Sequence, residues 1–89
     1  MPISETDKQA IIRIAKDFGA TRMWVFGSAM SRDDPRDIDL AVQGVPPREF
    51  YRFYSILDDA LGKPVDLIDM DSEDPMRHIV SAYGEIIYG

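Results

Sequence analysis

Ile11, Ile14, Ala15 and Phe18 recur at i, i+3, i+4 and i+7, the spacing that lines one side of an α-helix. Ser4 stands where that helix needs an N-cap, with Asp7 three positions on as in a capping box. Gly19 falls where the helix must stop. The pattern then changes. Met23 to Phe26 is an unbroken apolar run that ends at Gly27-Ser28, which predicts a buried strand and a tight turn. Ser28 to Arg32 reads as a short helical turn, and Asp33-Asp34-Pro35 as a loop. A second strand is predicted from Asp37 to Val42, with two acids set into its start.

The second half of the chain continues the alternation. Gln43 to Pro47 is a Gly/Pro linker, and Pro47 suits the first turn of a helix. Phe50, Phe53, Tyr54, Leu57 and Leu61 give that helix a long apolar stripe, and Gly62 closes it. Val65 to Ile68, after Pro64, predicts a third strand. Asp74-Pro75 reads as a cap and a first-turn proline. Met76, Ile79, Val80 and Tyr83 line the helix that follows, Gly84 stops it, and Glu85 to Tyr88 predicts a short last strand. The class predicted is α+β: a mixed β-sheet of about four strands flanked by α-helices. Trp24, Phe50, Phe53 and Tyr54 are assigned to the core, with a partner surface as the alternative for the helical three.

Composition narrows the reading. A chain of 89 residues predicts one domain, residues 1–89, with a single modest core. Hydrophobic residues at 45% and charged residues at 29% are those of a globular protein. No apolar run is long enough to span a membrane, and no export signal opens the chain, so a cytoplasmic location and no membrane partner are expected. Without cysteine there are no disulfides and no thiolate metal sites. The formal charge is −6 and the ten Lys and Arg residues are scattered along the sequence, which argues against a direct nucleic-acid ligand. His78 has no second His or Cys with which to build a zinc site. The acidic run Asp69 to Asp74 lacks the glycine and the final glutamate of a calcium loop.

Asp37 and Asp39 carry the strongest chemical signal. On a strand, residues two apart point to the same side. Two neighbouring carboxylates repel unless a cation lies between them, and an all-oxygen donor set suits Mg²⁺. The plain alternative is a pair of solvated acids where a strand meets the surface. Asp66 lies in the otherwise apolar Val65-Asp66-Leu67-Ile68. It is either a third ligand or an acid facing water from an edge strand. Gly27 permits close backbone approach to a ligand, and Ser28 can cap a helix whose free N–H groups hold an anion. Arg32 and Arg36 are the nearest cations; they contact phosphate or only offset the acids around them.

Gly27-Ser28, a spacer and then Asp37-x-Asp39 resemble the signature of the DNA polymerase beta-like nucleotidyltransferase superfamily. In a chain this short they resemble its minimal nucleotidyltransferase (MNT) group. The likeness extends over nearly the whole chain, with departures at Met30 and Arg36. It implies the DNA polymerase beta-like nucleotidyltransferase fold, with residues 1–89 as one minimal domain. It also implies ATP as substrate and Mg²⁺ as cofactor, with two ions in the active complex. Asp37, Asp39 and Asp66 would be the catalytic and metal-holding acids. Gly27, Ser28, Arg32 and Arg36 would bind the phosphates. The resemblance further implies a cognate HEPN-family toxin as partner, AMP transfer to one of its hydroxyls (a tyrosine), and an antitoxin role in a homodimer or a hetero-oligomer with the toxin.

Two other functions stay open at this stage. A non-catalytic antitoxin would mask its partner by forming a complex with it. A small-molecule nucleotidyltransferase would need an added substrate domain, for which the chain has no room. The base of the nucleotide and the acceptor are not written in the sequence.

Overall fold

The structure, a computed structural model, describes residues 3–27 and 37–89. The expected turn from Ser28 to Arg32 and the loop Asp33-Asp34-Pro35 lie outside the described residues. The elements run α1 (Glu5–Asp17), β1 (Arg22–Phe26), β2 (Ile38–Gln43), α2 (Pro47–Leu61), β3 (Val65–Asp69), α3 (Met76–Tyr83) and β4 (Glu85–Tyr88). The strands form one sheet in the order β3-β2-β1-β4. β1 is antiparallel to both β2 and β4, whereas β2 and β3 are parallel, with α2 between them in sequence. The sheet is therefore mixed, and the α+β class holds.

Alternation along the strands divides the core in two. On one face Met23, Val25, Ile38, Leu40, Val42 and Leu67 pack beneath α1 and α2. α1 buries Ile11, Ile14 and Ala15 there, and α2 buries Phe53, Leu57 and Leu61. The Phe18 and Phe53 rings join the two helices edge to face at 5.2 Å. On the other face Trp24, Phe26, Ala41 and Ile68 pack against Val80 of α3.

The caps follow the sequence with small shifts. The Asp7 N–H donates to Ser4 Oγ at 3.1 Å, and Gly19 and Gly62 adopt positive φ after their helices. β1 begins one residue earlier than the apolar run, at Arg22, because its backbone still pairs with Gln43. β2 begins one residue later than expected, at Ile38, so Asp37 stands just before the strand rather than in it. At α3, Pro75 occupies the cap position, and the Asp74 carboxylate one residue earlier accepts the Met76 N–H at 2.9 Å.

Candidate active site

Asp39 lies in β2, half-buried, between two neighbours fixed by the sheet. Phe26 faces it on β1, and Asp66 is its register partner on β3. Adjacent strands are about 4.8 Å apart, so the Asp39 and Asp66 backbones are held that close. Alternation sets Asp39 on the same face as Ala41, and Asp66 on the same face as Ile68, which is the α3 side. Asp37, exposed, precedes Asp39 by two positions at the same end of the sheet. The three acids thus gather at one end of the sheet.

Asp66 is exposed, and β3 is an edge strand. Its apolar sequence neighbours therefore do not bury it. Val65 and Leu67 point into the α2-side core, while Asp66 between them points away from it. What brings Asp66 to Asp39 is strand register. That register is anchored immediately upstream. The Val65 N–H donates to Asp58 Oδ1 at 3.1 Å, and the Val65 carbonyl accepts from the Tyr54 hydroxyl. Tyr54 and Asp58 are one helical turn apart on α2, so one helix face grips both polar groups of the residue before Asp66.

Gly27 ends β1 with φ +66°. A Cβ at this position would run into the Asp39 carboxylate. Glycine is required twice over, by the left-handed backbone and by the closeness of the acid. The same closeness brings the Gly27 backbone beside Asp39, where a ligand held by that acid would meet it. Ser28, Arg32 and Arg36 lie outside the described residues.

The donor set of the three acids is entirely oxygen, as a hard divalent cation requires. The tight fit of Gly27 against Asp39 leaves that carboxylate little freedom to swing toward β1. Among the described residues, however, no three acidic or imidazole side chains are already converged at metal-ligand spacing. The backbone brings the acids to one place, and side-chain rotation has to do the rest.

Sequence reasoning missed two features. The grip of Tyr54 and Asp58 on Val65 leaves only their i, i+4 spacing as a trace, because Tyr54 also fits the apolar stripe of α2. The cations that look scattered along the chain are not all scattered in space, because Arg22 and Arg77 line one pocket.

The family described as polymerase beta, nucleotidyltransferase matches residues 9–89. No curated protein matches the chain. Among solved structures, a toxin–antitoxin with AMP-PNP is 26% identical, with a TM-score of 0.78 over 92% of this chain and 73% of the other. A tri-AMPylated Shewanella oneidensis HEPN toxin in complex with MNT antitoxin matches at 24% identity and TM-score 0.77, over 100% of this chain and 73% of the other. The MntA–HepT toxin–antitoxin matches at 23% identity and TM-score 0.76, over 97% and 73%. The last two likenesses concern the fold. On the family match across residues 9–89, the chain belongs to the polymerase beta nucleotidyltransferase family.

Proposed function

We propose that the chain is an MNT antitoxin that transfers AMP from ATP to a tyrosine hydroxyl of a HEPN-family toxin. The observation that carries the reading is the register of Asp39 beside Asp66, with Gly27 closed against Asp39. The neighbours supply the rest: one toxin–antitoxin was solved with AMP-PNP, and one HEPN toxin in complex with MNT antitoxin is tri-AMPylated.

In this reading Asp37, Asp39 and Asp66 hold Mg²⁺, which neutralises charge on the triphosphate. Asp66, exposed at the sheet edge, is within reach of an incoming protein and takes the proton of the acceptor hydroxyl. The hydroxyl oxygen forms a bond to the α-phosphorus. The bridging P–O bond to the β-phosphate breaks, and pyrophosphate leaves with that electron pair. The Gly27 backbone, with Ser28, Arg32 and Arg36, steadies the phosphates. The exposed edge leaves room for a partner protein to approach Asp66.

The rival reading is an antitoxin that masks its partner without chemistry. It rests on the departures from the family's pattern at Met30 and Arg36. Co-expression of the toxin with wild-type chain or with Asp39→Asn separates the two. Loss of growth protection by a variant that still binds the toxin supports transfer, and full protection supports masking.

A further inference from the structure

A pocket of ≈ 310 Å³ opens on the α3 side of the sheet, lined among others by Arg22, Trp24, Gln43, Arg77, His78 and Ser81. It sits at the opposite end of β1 from the carboxylates. Arg22 opens the strand and pairs with Gln43, whereas Phe26 closes it against Asp39. Arg77, His78 and Ser81 project from consecutive turns of α3. We propose that this pocket binds a phosphate group, either free phosphate or a small phosphomonoester.

The charge argument comes first. In a chain of net charge −6, two guanidinium groups from two different elements line one small cavity. Arginine presents a planar fork of donors that matches phosphate oxygens, and the imidazole, the Ser81 hydroxyl and the Gln43 amide add further donors. The nearby carboxylates accept backbone N–H groups, and the Arg77 Nε–H donates to the Asp74 carbonyl at 3.3 Å, leaving its terminal nitrogens for a ligand. Asp69 accepts the Asp71 N–H at 2.9 Å, Asp71 accepts the Gly44 N–H at 2.8 Å, and Asp74 accepts the Met76 N–H. Arg77 pairs only loosely with the fully exposed Glu73, at 3.8 Å, a contact of little strength in water. Among the described residues no carboxylate pairs with Arg22.

Size and shape set the ligand class. The volume is at the small end of ligand pockets, which run from about 300 to 1,000 Å³. Trp24 is only 7% exposed, and Arg22 lies over its ring at 5.9 Å. Trp24 therefore offers little open ring for a base to stack on, and the small volume suits a head group better than a whole nucleotide. It does not depend on the transferase reading, because none of its residues belongs to the carboxylate end.

Trp24 is the single tryptophan of the chain and lines the pocket, so it reports occupancy directly. The experiment titrates the purified chain, with EDTA present and ionic strength held constant, with sodium phosphate and separately with glycerol 3-phosphate. Sodium chloride is the blank, and calorimetry runs in parallel. The expected result is a saturable change in emission, weakened about tenfold by Arg22→Gln and by Arg77→Gln through loss of a charge-assisted contact. Arg52→Gln, on the other side of the sheet, leaves it unchanged. If Arg77→Gln does not fold, Arg77→Lys keeps the charge and loses the fork, and it too weakens binding. Saturation by phosphate alone identifies free anion as the ligand; tighter saturation by glycerol 3-phosphate identifies an ester. No saturation by either, or equal affinity in all variants, overturns the proposal.

Discussion

Gly27 shows how a single residue can be tied to the site twice. Its left-handed backbone disfavours any side chain by about 1–2 kcal/mol, and its missing Cβ leaves room for the Asp39 carboxylate. Gly27→Ala should therefore lower stability by roughly that amount in urea denaturation. It should cost disproportionately more in AMP transfer, on the order of 100-fold, as expected when a reacting group is displaced by about 1 Å. Equal small losses in both would show that the closeness to Asp39 has no chemical purpose. Asp66 offers a different test. If it is the proton acceptor, as proposed, its change to Asn should lower the transfer rate by about 10²- to 10⁴-fold with little change in stability, because the side chain is exposed. A rate within a few-fold of wild type would leave Asp66 as a solvated edge residue.

Among the elements, α2 does more than cover the sheet. Tyr54 and Asp58 hold the backbone of Val65 and so set the position of β3 beside β2. A strand at the sheet edge has only one neighbouring strand to fix its register, and this grip supplies a second constraint. Tyr54→Phe should destabilise by about 1 kcal/mol, the worth of one hydrogen bond, and should lower transfer because Asp66 follows Val65. Hydrogen exchange at β3 amides would show the loosening directly. The helix and strand pattern was legible in the sequence because apolar spacing and glycine stops agreed at α1, α2 and α3. Asp37 and Asp39 stand two positions apart at one end of the sheet, but Asp37 precedes β2 rather than lying in it, so strand periodicity alone does not set its direction. Other features were not legible. That Asp66 is exposed follows from β3 being an edge strand, which depends on strand order. That Arg22 and Arg77 meet follows from where α3 packs. Both are properties of the whole sheet, and local spacing carries no record of them.

At the scale of the molecule, the sheet has one well-covered face and one partly covered face, and chemistry is assigned to the second. The well-covered side carries most of the stability. Phe53, fully buried between α1, α2 and the sheet, is its centre. Phe53→Ala should cost about 3–5 kcal/mol, a large part of the roughly 5–15 kcal/mol available to a domain, and urea denaturation would read it as a much lower midpoint. The other face carries Asp39 and Asp66 at one end and Arg22 and Arg77 toward the other. The central claim is that the carboxylate end transfers a nucleotide rather than merely occupying the toxin. The measurement that tests it most directly combines the purified chain, its HEPN-family toxin, Mg²⁺ and ATP labelled on the α-phosphate, with Asp39→Asn alongside. The account predicts label on a toxin tyrosine with wild type, and a loss of at least about 100-fold in the variant. A stable complex with no label on the toxin, equally protective with either chain, would contradict it.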